Sequence, residues 1–220
     1  MADLVPLEVV NQRLHDDVKR YGKIRLFEPK ELLYTPDELT QKFFFVLEGR
    51  VKVYQINFVD AREQTLFILK SGDMYDVVTL LDKKPHDNIV EAIDQVKVVE
   101  FPIEIVRGWI RSDEQFNSLL FPYIAKQYRQ IEELALDLSF LDTSKRLLKL
   151  ISKSITSHNK LERDLLHDLS HEEIASLIGT VRKVLNRHIQ KLKQDGIIEV
   201  SRKNIEIKDR EKILNMLPQI

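Results

Sequence analysis

The chain contains no cysteine. That absence removes a disulfide framework, a thiolate nucleophile, a cysteine-built zinc site and a cysteine-held iron–sulfur cluster. It fits a reducing cytosol. Glycine is scarce, with six in 220 residues, and no glycine-rich dinucleotide or phosphate loop is encoded. Long apolar runs are missing too: the uncharged stretch Phe116 to Ala125 is about half the length of a membrane span. The first residues, MADLVPLEVVNQRLHDD, hold no apolar core of signal-peptide length. A soluble, cytoplasmic chain with no membrane association is the expectation. Acidic residues and histidines are present but form no recognisable triad or metal pair, so neither an enzyme nor a metal centre is expected.

Hydrophobic residues make up 43% and charged residues 31%, enough to bury sizeable cores, and the net charge is −1. The neutrality hides a division. Residues 143–220 carry 16 Lys/Arg against 10 Asp/Glu, leaving 18 against 25 in residues 1–142. An acidic front and a basic back suggest two domains with different partners.

From Lys23 to Glu100 the pattern is that of strands. Lys23–Phe27 and Val51–Ile56 alternate, Phe43–Leu47 is a continuous buried run, and Gln64–Leu69 and Val96–Phe101 complete the series. Glu48-Gly49, Ser71-Gly72-Asp73 and Lys84-Pro85-His86-Asp87 are turn signals between them. Short strands without long intervening helices predict an antiparallel sandwich or barrel.

Beyond Pro102 the period changes. A short helix is predicted to Ile110, and a longer one from Asp113 to Phe140. Ile124, Ile131 and Leu138 recur every seventh residue of the longer helix, with Leu134 and Leu141 on the adjoining stripe: a heptad seam. Pro122 marks a first turn or a bend. Asp142 can cap a helix over Lys145–Ile155; helices Ser170–Leu177 and Thr180–Asp195 follow, then two short strands from Ile197 to Ile207 around a polar turn.

The most specific stretch runs from Leu169 to Leu192. Ser170 and Glu173 have capping-box spacing. Ile174, Ala175 and Ile178 form an inner face, Gly179 suits a tight inter-helix turn, and Thr180 can cap the next helix. Val184, Leu185, Ile189 and Leu192 would bury one side of that helix, leaving Arg182, Lys183, Asn186, Arg187 and Gln190 on the other. An ordinary helical hairpin with a solvated face would explain the charges alone. The glycine turn, the caps, the strand pair and the basic surplus together predict a DNA-binding helix-turn-helix, with Arg202 and Lys203 at the tip of a phosphate-contacting wing.

These residues resemble the winged helix-turn-helix of the CRP/FNR superfamily of bacterial transcription regulators. Phe140-Leu-Asp-Thr-Ser-Lys-Arg is similar to that family's hinge, and Leu33-Tyr-Thr-Pro-Asp, Phe43–Tyr54 and Ser71-Gly-Asp-Met to its cyclic-nucleotide-binding-type β-roll. The resemblance spans about residues 18–215. It implies an α+β fold: an N-terminal antiparallel β-roll (double-stranded β-helix or jelly roll) over 1–112, a long dimerisation helix over 113–141 and the winged helix-turn-helix over 142–220. It further implies a homodimer seamed by Ile124, Ile131, Leu134, Leu138 and Leu141, a palindromic double-stranded operator, and RNA polymerase as a partner. Its DNA-contacting positions correspond to Ser170, His171, Thr180, Arg182, Lys183, Asn186, Arg187, Lys191, Arg202 and Lys203. Arg182 and Arg187 match the two arginines that approach guanines; Lys183 stands where many members carry glutamate.

The front half departs from the cyclic-AMP-binding members. Their Gly-Glu pair is Asp76-Val77 here, their phosphate-holding Arg-Ser pair is Asp87-Asn88, and the Thr-Ser pair that meets the base is Ile131-Glu132. A carboxylate at the arginine position repels phosphate, so cyclic AMP is not expected. Asp76, Val77, Val78, Asp87, Asn88 and Ile131 remain the candidate effector pocket. Haem or a gas stays open because Leu33–Tyr54 also resembles the CO-sensing haem regulator. Its ligand histidine aligns near Val78, however, which leaves His86 and His15 as candidates, and a lone loop histidine is more often simply solvent-exposed. The alternative function is a regulatory module acting on a protein partner rather than on DNA.

Overall fold

The computed structural model describes residues 12–156, 169–201 and 204–217. The chain divides into two compact units: the residues up to Gln55 with Leu66–Ile131, and Ile56–Thr65 with Glu132 onward.

In the first unit, α1 (Gln12–Tyr21) leads into β1 (Lys23–Phe27), and α2 (Pro36–Leu39) into β2 (Lys42–Glu48) and β3 (Val51–Asn57). Then come β4 (Arg62–Leu69), β5 (Met74–Tyr75), α3 (Val77–Asp82), β6 (Ile89–Ala92), β7 (Val96–Pro102), α4 (Ile103–Ser112) and α5 (Glu114–Phe140), of which the β3–β4 tip and α5 from Glu132 onward belong to the second unit. Strands β1-β7-β2-β5 form one sheet and β4-β3-β6 another. All resolved pairings of the first sheet are antiparallel, with Phe44 opposite both Glu100 and Tyr75.

The continuous apolar run of β2 is explained by two cores. Phe43, Phe45 and Leu47 pack with Val99, Phe101, Trp109 and Phe116 in one. Phe44 and Val46 point the other way, into a second core with Val51, Val53, Val90 and Val98. Because side chains alternate across a strand, both faces must be apolar when both are covered.

The structure corrects several sequence readings here. α3 and α1 were not predicted as helices. Pro122 lies inside α5, which runs through it from Glu114 to Phe140, so it is not a first-turn residue.

In the second unit, α6 (Thr143–Thr156) precedes α7 (His171–Leu177), α8 (Arg182–Gln194), the antiparallel pair β8 (Ile198–Ser201) and β9 (Asn204–Ile207), and α9 (Arg210–Met216). Asp142 Oδ1 accepts from Lys145 N at 2.9 Å, as its capping role predicts. The end of α5 is tied to α6 by Lys149, whose ammonium meets Glu133 at 2.8 Å and Asp137 at 2.7 Å. Arg146 Nη1 donates to Leu141 O and its Nε to Ile178 O. The β3–β4 hairpin tip belongs to this unit, where Thr65 Oγ1 and Ser176 Oγ lie 2.7 Å apart. Helix α9 was not anticipated from the sequence; its Ile213 is fully buried. Among the described residues no helix is long and apolar enough to cross a membrane.

Candidate nucleic-acid interface and sensor cassette

Helix α7 starts as the sequence requires. Ser170 is its N-cap, with the reciprocal Ser170–Glu173 capping box formed, so two otherwise unpaired amides are satisfied. Ile174, Ala175 and Ile178 are buried. Gly179 adopts φ +65, and a β-carbon there would lie 2.5 Å from Gln64 Oε1 and 2.7 Å from Leu138 Cδ2. Thr180 does not cap the next helix. Its N–H donates to Ala175 O at 2.9 Å, which makes it part of the turn closing α7. The N-cap of α8 is Val181, without a side-chain bond.

On α8, Leu185, Ile189 and Leu192 are buried, while Arg182, Lys183, Arg187, Gln190 and Lys191 are exposed and Asn186 is partly covered. The broad exposed side of α8 therefore carries four cations along two and a half turns, spread over about half of the helix circumference. Burial, and then the neighbouring Arg187, hold the His188 imidazole below its ordinary pKa. Two side chains of this face are already held from α7: Arg182 Nη1 donates to Glu172 Oε1 at 2.6 Å, and His171 Nδ1 lies 2.7 Å from Asn186 Oδ1. Arg202 and Lys203 fall outside the described residues. The strand pair that carries them is in register, Ser201 opposite Asn204.

The cassette after Gly72 builds a different kind of site. Asp76 is almost wholly buried and caps α3: Oδ1 accepts from Val78 N at 3.0 Å and Thr79 N at 3.3 Å, and Oδ2 takes the Thr79 hydroxyl at 2.7 Å. His86 Nε2 also donates to Oδ2. The ring's other nitrogen accepts from Asn88 Nδ2 at 2.7 Å; Asn88 in turn bonds Tyr75 OH at 3.0 Å and receives Gln55 Nε2 at 3.1 Å. At its far end α3 is held by the buried Arg107, which donates to the Thr79 and Leu80 carbonyls. The Asp76 carboxylate, outweighing burial, raises the His86 pKa above its ordinary value.

Of the candidate pocket residues, the structure brings Asp76 and Asn88 together through His86. It separates the others: Val77 belongs to the core, while Val78 and Asp87 are exposed. The reading of His86 as a solvent-exposed loop residue is corrected, since it is partly buried with both ring nitrogens engaged. His15 is a partly covered residue of α1. Tyr75, Thr79 and Gln55 were missed because nothing in their spacing marks them before the strands bring them to Asn88.

Helix α5 lies beside this cassette. The Tyr123 hydroxyl accepts from Met74 N at 3.1 Å and from Gln127 Nε2 at 2.9 Å and donates to Met74 O at 2.8 Å. Along the helix Phe121, Tyr128, Ile131 and Leu138 are exposed, and Ile124 and Leu134 are half-covered. Leu141, by contrast, is buried within its own unit.

Comparison with known proteins gives the same two parts. A cyclic nucleotide-binding domain model matches residues 24–113, and a Crp-like helix-turn-helix domain model matches residues 144–216. A CRP-like cAMP-activated global transcriptional regulator of Mycobacterium tuberculosis is 26% identical over 185 residues, 82% of each chain. A global nitrogen regulator of Synechocystis is 22% identical over 209 residues, covering 92% of this chain and 91% of that one. Among solved structures, a c-di-GMP responsive global regulator of Xanthomonas campestris shares the fold with TM-score 0.76 at 17% identity, covering 89% of this chain and 98% of the other. A cyclic nucleotide-binding domain followed by a Crp-like helix-turn-helix domain, with CRP-like regulators matching most of its length, establishes that the chain belongs to the CRP/FNR superfamily of transcription regulators.

Proposed function

We propose that the chain is a cytoplasmic, non-enzymatic homodimer that binds a palindromic operator through α8 and recruits or blocks RNA polymerase according to an effector sensed in the β-roll. The observation that carries the reading is the α8 face: Arg182, Lys183 and Arg187 stand exposed beside Asn186, while Leu185, Ile189 and Leu192 anchor the opposite side. An α-helix fits the major groove, and a guanidinium donates twice to guanine O6 and N7. Residues 1–112, 113–141 and 142–220 serve as sensor, dimer helix and DNA-binding domain. Arg202 and Lys203 supply phosphate contacts from the wing.

Two copies would meet along α5. Ile124, Ile131 and Leu138 repeat at seven residues, and the exposed Phe121 and Tyr128 continue the seam at the alternating three- and four-residue spacing of a coiled coil. A small change in seam packing would then re-aim both reading helices, and the operator would favour one arrangement.

The effector is not cyclic AMP. A cyclic phosphate would need the amides at the start of α3, and Asp76's own carboxylate already occupies them. A second anion there meets like charge in a buried setting. The named relatives respond to different signals, which leaves the ligand class to the chemistry of this cassette.

Selection of binding sites from a random duplex library by the full chain tests the reading. A two-fold symmetric motif with half-sites about one helical turn apart is expected. Recovery of no motif, with retention of the chain by a protein partner instead, would favour the regulatory-module reading.

A further inference from the structure

The first turn of α7 reaches the reading face of α8 at a place where sequence gives no hint of it. His171 is the first residue of α7 and Asn186 sits in the middle of α8, yet His171 Nδ1 and Asn186 Oδ1 are 2.7 Å apart. An amide carries an acceptor at one end and two donors at the other. With the oxygen facing the imidazole, Nδ1–H is the donor. That bond requires the proton on Nδ1; the Nε2–H tautomer would face the amide nitrogen instead. The Asn186 amide is thereby held in one orientation, one turn beyond Arg182 on the same exposed face.

We propose that His171 is a positioning residue for base readout: it turns the Asn186 amide so that Nδ2 is the group offered to the groove, making Asn186 a donor to a purine N7 or guanine O6 at one base pair of each half-site. An unrestrained asparagine can present either end and pairs best with adenine through both. The imidazole removes that freedom by claiming the oxygen from the side. Lys183 and Arg187, the nearest members of the face, are also pure donors. The stretch from Arg182 to Arg187 then reads as donor-only, suited to acceptor-rich guanine edges, with Gln190 one turn further on keeping an acceptor. The proposal rests on α8 being the reading helix, and the test separates the two.

Binding-site selection is repeated with His171→Ala, His171→Gln and Asn186→Ala in the full chain. Wild type should show a purine preference on the order of tenfold at one position of each half-site, the usual worth of a good base contact. Asn186→Ala and His171→Ala should each reduce that preference toward unity at the same position while leaving the guanines opposite Arg182 and Arg187 selected. His171→Gln, which keeps an N–H donor in reach, should restore it. Uniform weakening on all sequences by His171→Ala, with the preference unchanged, would mean a phosphate contact only and overturn the proposal. So would an Asn186→Ala motif identical to wild type. Failure of wild type to select any motif would remove α8 as the reading helix, and the proposal with it.

Discussion

His86 Nε2 donates to the buried carboxylate of Asp76, ten residues earlier, which is itself the cap of α3. The cassette is therefore closed on itself by a carboxylate–imidazole pair. Protonating His86 at its second nitrogen turns Nδ1 into a donor facing Asn88 Nδ2. The relay can follow by reversal: Asn88 presents its oxygen, the Tyr75 hydroxyl turns to donate, and Gln55 offers its oxygen in exchange.

A pH dependence follows from this pair. Asp76, with smaller help from Asp82 and Asp87, raises the His86 pKa in the folded state above the ordinary 6.5. The imidazolium is thus favoured by folding; its contribution is complete below the unfolded pKa and is lost as pH rises through the higher folded value. Melting temperatures of wild type and His86→Gln, taken from pH 5.5 to 9, should show wild type losing a few degrees across that window beyond whatever the variant loses. Parallel curves would rule the linkage out.

Cyclic AMP should bind negligibly. Calorimetry at millimolar nucleotide is expected to give no saturable heat, and DNA affinity should not rise. Saturable binding would mean that Asp76 leaves the α3 amides when a phosphate arrives.

The seam proposed on α5 predicts a dimer that charge disrupts. Ile131→Asp with Leu138→Asp should sediment as a monomer and bind the selected operator at least a hundredfold more weakly, because two half-sites can no longer be engaged at once. A double variant that remains dimeric would exclude this face.

Lys183 offers no acceptor, so a cytosine amino group at its step should go unread. Lys183→Glu should shift selection toward cytosine there. Arg182→Ala should cost roughly 1–3 kcal/mol on the operator and flatten one base pair. An unchanged motif with Lys183→Glu assigns the lysine to phosphate instead.

Two glycines should respond to alanine in opposite directions. Gly179, at φ +65 and with a β-carbon crowded by Gln64 and Leu138, should lose about 1–3 kcal/mol as Gly179→Ala. Gly108 lies inside α4 with nothing within 4 Å of its would-be β-carbon, so Gly108→Ala should gain up to about 1 kcal/mol. Thermal melts of the two full-length variants decide, and shifts of equal sign would contradict the turn assignment.

Elements with strong local causes could be read directly from the sequence. The five-residue run Phe43–Leu47 could only be a strand covered on both faces, and Ser170 with Glu173 marked the start of α7. What stayed hidden depended on distant partners. Helix α3 is six residues long and is held at its two ends by Asp76 and Arg107, 31 residues apart. Thr180 has the side chain of a cap, but the turn around Gly179 claims its backbone before α8 begins. Leu141 fits the spacing of the stripe that holds Leu134, yet it is buried where α5 ends and Arg146 meets its carbonyl.

The Tyr123 hydroxyl bonds both the backbone N–H and the C=O of Met74, two residues before Asp76, and Ile124 follows it directly on α5. Met74 and Tyr75 also pair with Phe45 and Phe44 of β2, so the strand that ends at Asp76 is pinned both to the sheet and, through one phenol, to α5. A molecule that prised Asp76 from α3 would then be felt at α5 as a displacement of backbone, carried by one phenol like the tooth of a gear, with no charge needing to travel.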